Sequence, residues 1–312
     1  MPNWLIKSAL QRVISWLPAS HYWNRLFQQY VTRSLQLTRA QFDLRLDYCR
    51  RHIEPFLELR PDCTNGFRVL ELGTGWFPTV PIGLYLCGAA EIWTFDIAPF
   101  LRASQLKQML GRFEEYDRTG ELQKLLPRLL PERMAKLREI SAGASQHSPS
   151  ALLEQMNIHF RVRDARETGL EPATIDLFVS TSVLEYIPRE HLNSILVEFK
   201  RIGSARAIQS HYLNLRDHYS YFDSSITPFN YLKYSSSQWK FLNSPLTWQN
   251  RLRISDYRAL FAQSGYQIIH ERNTAGDRGE LQSTRLAPEF HHYRAEDLLV
   301  LFSWLVAKPV GS

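Results

Sequence analysis

An α/β fold built on a doubly wound, mostly parallel sheet is what this sequence predicts, and three observations predict it. Short strand-like runs recur between segments of helical periodicity: "FRVLEL", "EIWTFD", "IHFRVRD", "IDLFVSTS" and "ARAIQSHYL". Strands that alternate with helices need crossover connections, which make the sheet parallel and cover both of its faces. The first run opens into Gly73-Thr74-Gly75, where two residues without a Cβ let the backbone turn sharply and a ligand come close. Acids then fall at the carboxyl ends of successive strands, Glu71, Asp96 and Asp164, where open α/β sheets place a ligand crevice.

Composition narrows the class. The chain has 312 residues, which suits one large domain with additions. No apolar run reaches the ~18 residues of a membrane span. The first residues lack a charged start, a short apolar core and a small-residue cleavage site, so a cytoplasmic protein is expected. Cys49, Cys63 and Cys87 form no CxxC pair and read as reduced thiols, not a disulfide or metal framework. The net charge is +6, and residues 1–66 carry nine Lys/Arg against five Asp/Glu. There is no Lys/Arg run, RGG tract or zinc-finger spacing, so the excess reads as a solvated basic face and not as a nucleic-acid interface.

Residues 1–66 read as an N-terminal helical cap, and residues 67–312 as the main domain. "NWLIKSALQRVISWL" (3–17) places Ile6, Leu10, Val13 and Leu17 at helical spacing, and Pro18 stops it. The cap reading packs this helix on the domain. The competing reading lays it in a membrane interface, with Trp4 and Trp16 at the lipid boundary and Lys7 and Arg12 toward headgroups. A second helical region runs over roughly 21–59. Helices are expected at 79–88 and 189–201, and a mostly helical insertion over 97–156. "SDYRALFAQSGYQIIHER" reads as a Ser-capped helix, a stop at Gly265 and a strand, and "LLVLFSWLVAKP" as a final apolar strand.

The glycine turn excludes one ligand class. Pyrophosphate binding asks for a glycine or alanine three positions after Gly75, where this chain has Pro78, which has no amide hydrogen to offer a phosphate. Glu71, two residues before Gly73, would repel a pyrophosphate and suits a cationic group. Asp96 follows Gly75 by 21 residues and can accept hydrogen bonds from both ribose hydroxyls. Asp164-Ala165, after the third strand, can receive an adenine amino group. Each acid also has a plainer reading: Asp96 as a turn acid, Glu71 as a buried partner of an arginine, Asp164 as a turn residue, and Glu185, which can as easily be an active-site group, as a surface or capping acid.

With these residues in view, the chain resembles a class I S-adenosylmethionine-dependent methyltransferase. "VLELGTG" is similar to that family's first motif, "WTFDIAP" to the second, "RVRDARE" to the adenine turn, and "IDLFVSTSVLEYIP" to the fourth-strand motif. "ALFAQSGYQII" and "WLVAKP" are similar to the late elements, so the likeness spans about 67–212 and 254–309. Phe77 departs from the pattern at its third glycine. The resemblance implies a Rossmann-like seven-stranded sheet with an antiparallel last strand. It also implies S-adenosyl-L-methionine as cofactor, bound by Glu71, Gly73, Thr74, Gly75, Asp96, Ile97, Asp164, Ala165 and Ser182. Trp76 and Phe77 either shield the methionine moiety or pack the following helix.

The acceptor is then expected above the fourth and fifth strands. His211, Asp217 and His218 are the candidate bases, with Asp223 and Asn214 near them; His211 is nearest the strand end. Ser182-Val183-Leu184-Glu185 replaces the [DNS]-P-P-[YF] of enzymes that methylate exocyclic amines. Residues 211–257 hold eleven Phe, Trp and Tyr, so a lid over 213–250 should be ordered. It either walls an acceptor or anchors to the N-terminal helices or to another subunit, with base stacking on single-stranded nucleic acid as a third reading. A small-molecule acceptor, with oxygen favoured, follows; a non-catalytic cofactor-binding module and an aminopropyltransferase are the alternatives.

Overall fold

The computed structural model describes residues 3–16, 37–63, 65–144, 146–244, 246 and 248–311. Residues 17–36, which hold Leu17, Pro18 and the first part of the expected second helical region, lie outside them. In chain order the main elements are α1 (Asn3–Ser15), α2 (Arg39–Leu59), β1 (Arg68–Leu72), α3 (Thr79–Leu86), β2 (Glu91–Asp96), α4 (Ala103–Arg118), α5 (Leu122–Leu125), α6 (Pro131–Ala142), α7 (Pro149–Glu154), β3 (Ile158–Val162), β4 (Ile175–Thr181), α8 (Arg189–Ile202), β5 (Gly203–Asn214), α9 (Ser236–Leu242), α10 (Ile254–Gln263), β6 (Tyr266–Ala275), α11 (Arg278–Ser283), α12 (Ala295–Leu299) and β7 (Val300–Pro309).

The strands form one seven-stranded sheet in the order β3-β2-β1-β4-β5-β7-β6. β1 pairs in parallel with β2 and β4, β2 with β3, and β4 with β5. β7 runs antiparallel between β5 and β6. This is the expected doubly wound sheet with its antiparallel last strand. From β1 the chain winds outward through β2 and β3, then returns to β4 on the other side. The switch lies between β1 and β4, where open α/β sheets place a ligand crevice beyond the carboxyl ends of the strands.

Two apolar layers cover the faces. One joins Phe42, Leu46, Cys49, Ile53 and Phe56 of α2 to Ile82, Leu84 and Leu86 of α3 and to α4. The period of these α2 residues turns one stripe of the helix into the sheet. The other layer joins Leu192, Ile195, Leu196 and Phe199 of α8 to Tyr257, Leu260 and Phe261 of α10. The amphipathic pattern of α8 was legible in the sequence, and the helix ends where β5 begins.

The aromatic insertion makes a third apolar cluster. Tyr219, Phe229, Tyr231, Leu232 and Trp239 pack with Trp4 of α1 and with Leu281, Phe290 and Leu298 from α11, α12 and the turn between them. Most lid aromatics therefore anchor the lid and do not face a ligand. α1 sits on this cluster the opposite way round from its sequence pattern. Trp4, Ser8 and Gln11 are buried, while Ile6, Leu10, Val13 and Trp16 are exposed. The reading with Trp4 at a lipid boundary is overturned: Trp4 is 2 % exposed, stacks 5.4 Å from Tyr219, and its amide donates to Asp223 Oδ2 at 3.0 Å. Among the described residues no helix is long and apolar enough to cross a membrane. α10 starts two residues earlier than a Ser255 cap would place it, with Arg253 and Asp256 sharing the capping box.

Candidate functional site

β1 and β2 set the first side of the crevice. Burial makes both of their terminal acids costly to ionise. Glu71 is 5 % exposed; Thr94 Oγ1 donates to its Oε2 at 2.6 Å, and the Thr74 hydroxyl bonds that of Thr94. Desolvation pushes the Glu71 carboxyl up to about 8, against the opposing pull of Thr94. Asp96 Oδ2 accepts the Gly75 amide at 2.8 Å and its Oδ1 accepts the Ala98 amide at 3.2 Å. Desolvation raises this carboxyl too, with the backbone amides opposing. Each carboxylate oxygen retains acceptor capacity after one such bond.

The turn between the strands needs its glycines. Gly73 has φ +87° and a Cβ there would lie 2.4 Å from Val183 Cγ2, so the turn after β1 is pressed against the segment after β4. Gly75 has φ +62° and nothing within 4 Å of where its Cβ would be. Its conformation requires glycine, and the space above it is open to the crevice. Phe77 is buried in the first core layer, while Trp76 packs 4.7 Å from Phe100. The departure at Phe77 therefore carries a packing role.

α2 contributes a cation that the sequence pattern did not mark. The Arg45 guanidinium lies 5.4 Å over the Phe77 ring and makes no hydrogen bond among the described residues. Desolvation lowers its pKa, opposed by Tyr48 and Glu71, so it lies near the acid of the first motif. On the next helical turn Tyr48 packs 4.9 Å from the Tyr212 ring of β5. Period-3.6 burial hid both residues, because either one reads as the flank of a core stripe.

The remaining expected cofactor residues are scattered in character. Asp164 is exposed and paired with Arg166, whose Nη2 lies 2.5 Å from Oδ2 and whose amide donates to Oδ1 at 2.9 Å. Arg166 holds this carboxyl below the usual range. Ala165 is buried in the second core layer, and Ile97 is 84 % exposed beside Asp96. Ser182 takes φ +52° after β4, and its amide donates to Tyr212 O at 2.9 Å.

The candidate bases separate clearly. His211 is wholly buried, with Nδ1 2.8 Å from Ser180 Oγ and Nε2 2.9 Å from Gln209 Oε1. Strand alternation turns it toward Phe261 of α10, while Ser210 and Tyr212 face α2. Desolvation presses its pKa down to about 3. Both nitrogens are occupied inside the apolar layer, so His211 is a core histidine and not a base open to an acceptor. Asp217 is wholly buried too. It accepts the Tyr219 amide at 2.8 Å and Asn230 Nδ2 at 3.0 Å, which makes it the internal cap of the lid. Burial raises its carboxyl to about 6. Asp223 ties down α1, as described above. His218 is the one of the three expected bases that borders the crevice residues. Its Nδ1 is 2.8 Å from Tyr186 Oη, its Nε2 has no partner among the described residues, and desolvation lowers its pKa to about 4.

The segment after β4 holds the second side of the crevice. Residues Leu184–Tyr186 form a single 3-10 turn. Asn250 pins it: its amide donates to Glu185 O at 2.7 Å, and its Nδ2 donates to Leu184 O at 2.9 Å and Ile187 O at 2.8 Å. Glu185 is 1 % exposed, and desolvation pushes its carboxyl up to about 8. Its position in "VLEYIP" was legible, but its burial depends on Asn250 and β5, far away in sequence.

No family model matches the chain, and no curated protein does. Among solved structures, a magnesium protoporphyrin IX methyltransferase from Synechocystis with bound SAH is 16 % identical over 95 % of this chain and 97 % of its own, with a TM-score of 0.44. A geranyl diphosphate C-methyltransferase from Streptomyces coelicolor is 10 % identical over 87 % of this chain and 77 % of its own, TM-score 0.45. An S-adenosylmethionine dependent methyltransferase from Mesorhizobium loti is 12 % identical over 80 % of this chain and 95 % of its own, TM-score 0.42. At these identities and scores the likeness says nothing of what this crevice binds, which has to be read from its own residues.

Proposed function

We propose that this protein transfers a methyl group from S-adenosylmethionine to an oxygen of a small-molecule acceptor. The observation that carries the reading is the pair of buried acids, Glu71 and Asp96, on adjacent parallel strands around an open glycine turn at the switch point. A pyrophosphate does not fit there: it would meet two carboxyls and find Pro78 where an amide is needed. A ligand with a ribose and a cationic amino-acid end fits both.

In this reading Asp96 accepts from the ribose hydroxyls while its bonds to the Gly75 and Ala98 amides hold it in place. Glu71 faces the ammonium. Arg45, desolvated and without a hydrogen bond, takes the carboxylate of the same amino-acid end. Gly75 leaves room for the approach, and Ile97 lies against the adenosine edge. Asp164 and Ala165 would border the adenine only if the Arg166 pair opens. Ser182 shapes the turn after β4 through its backbone. When bound, the cofactor supplies a methyl group on a sulfonium that is already a good leaving group. The residues of the chain align the acceptor, exclude water and take up a proton.

Titration calorimetry with S-adenosylhomocysteine tests the reading. The wild type should bind at one site, and Asp96→Ala should bind about 10²–10³-fold more weakly, the loss of charge-assisted bonds to two hydroxyls. Equal affinity in the variant removes Asp96 from the ribose role.

A further inference from the structure

Buried carboxyls in folded proteins are hydrogen-bonded almost without exception. Glu185 departs from this: it is 1 % exposed, and among the described residues neither of its carboxyl oxygens has a hydrogen-bond partner. The backbone that carries it is fixed by three bonds from Asn250, so the side chain is unsatisfied on a rigid support. Its own amide and the Asn214 amide lie near enough to favour the charged form without closing a bond. The other groups that feel its charge are the tyrosines Tyr186, Tyr212 and Tyr257. Among the described residues no cation is close enough to hold it ionised.

Its place is between the presumed reactants. Two residues upstream, Val183 is the side chain that Gly73 of the cofactor turn presses against. On the far side, Tyr212 forms a wall with Tyr48 at 4.9 Å and with Phe302, stacked at 6.0 Å. Asn214 Nδ2 donates to Tyr221 Oη at 3.1 Å, and Tyr186 bonds His218 of the lid. Tyr186 and Tyr221 are 42 % and 58 % exposed and form the rim through which a ligand would reach the carboxyl.

We propose that Glu185 is the catalytic base of the transfer and that the acceptor carries an aromatic hydroxyl, seated against the Tyr48–Tyr212–Phe302 wall. The inference rests on the methyl-transfer reading and adds the base and the acceptor class to it. In its ionised form the Glu185 carboxylate takes the hydroxyl proton, so transfer rises with pH through the titration of that carboxyl. The electron pair freed on the acceptor oxygen forms the new O–C bond as the C–S bond breaks, and the pair of that bond stays on sulfur. The proton on Glu185 passes to solvent when product leaves. A buried, unpaired carboxyl is a stronger base than an exposed one, which suits it to a phenolic proton.

The test uses the full chain as wild type, Glu185→Gln and Glu185→Leu, with catechol as probe. All three should bind S-adenosylhomocysteine within about twofold and melt no lower than the wild type, because no native bond is lost. In the S-adenosylhomocysteine complex, catechol binding should survive in Glu185→Gln and weaken at least about tenfold in Glu185→Leu, which offers the hydroxyl no acceptor. Methyl transfer to catechol should fall about 10²–10⁴-fold in Glu185→Gln. Undiminished transfer in that variant overturns the base. A wild type that binds S-adenosylhomocysteine but not catechol overturns the acceptor class. A wild type that binds neither overturns the methyl-transfer reading beneath both.

Discussion

Two glutamates lie buried on opposite sides of the switch in the sheet, and they are held differently. Glu71, at the end of β1, has a hydroxyl partner in Thr94 and a cation nearby in Arg45. Glu185, after β4, has no partner and no cation among the described residues, on a backbone fixed by Asn250. Burial raises both carboxyls to about 8. The difference separates two tasks. A carboxyl with polar neighbours can stay in place and meet a permanent cation, whereas an unpaired one gains its first hydrogen bond only when a donor arrives.

His211 sharpens the contrast, because it is as deeply buried as either acid yet fully satisfied. His211→Ala should cost about 2–3 kcal/mol of stability, from a cavity and from unpaired Ser180 and Gln209, and leave S-adenosylhomocysteine affinity unchanged. Chemical denaturation with parallel calorimetry checks both halves. Loss of ligand binding with stability intact would return His211 to the site. Its neutral burial also has a pH signature: the unfolded imidazole gains a proton near 6.5, the folded one near 3, so stability falls as pH drops through that window.

On the cofactor side, Arg45→Met should weaken S-adenosylhomocysteine binding about tenfold, the worth of one charge-assisted pair. Binding of methylthioadenosine, which lacks the amino-acid end, should not change. Equal weakening of both ligands would make Arg45 a packing residue under Phe77.

On the other side, Glu185 should leave a trace in stability that depends on pH. Unfolded, the carboxyl ionises near the ordinary 4.5; folded, it keeps its proton to about 8. Between those values the native state holds a proton that the unfolded state has released, so stability falls as pH rises. Glu185→Gln removes that slope. Its gain over the wild type should be larger at about pH 8 than at about pH 5, by on the order of 3–4 kcal/mol. A constant difference across that range would mean that Glu185 is not buried uncharged.

The sheet was largely legible in the sequence because each strand carries a local signal: "EIWTFD" is β2 residue for residue. The glycine turn was legible for the same reason. α1 was read with the wrong face inward, since its apolar stripe is exposed and its buried contacts, Trp4 to Tyr219 and Ser8 Oγ to Leu242 O at 2.5 Å, join segments over 200 residues apart. His211 looked like a base because strand-end position was visible, while the Ser180 and Gln209 partners that occupy it were not. Arg45 escaped for the converse reason, and Glu185 was left between an active-site group and a surface or capping acid: what marks them is missing hydrogen bonds, and an absence has no sequence pattern.

The central claim is that Glu71 and Asp96 frame a site for a cationic amino-acid nucleoside. The most direct measurement is calorimetric titration of S-adenosylmethionine near pH 7 in two buffers of different ionisation enthalpy. A Glu71 carboxyl raised to about 8 is mostly protonated beforehand, and an arriving ammonium should drive its proton off. The account predicts saturable binding at one site with release of up to about one proton, and no such release in Glu71→Gln. No saturable binding at millimolar S-adenosylmethionine, or proton release unchanged in Glu71→Gln, would contradict it.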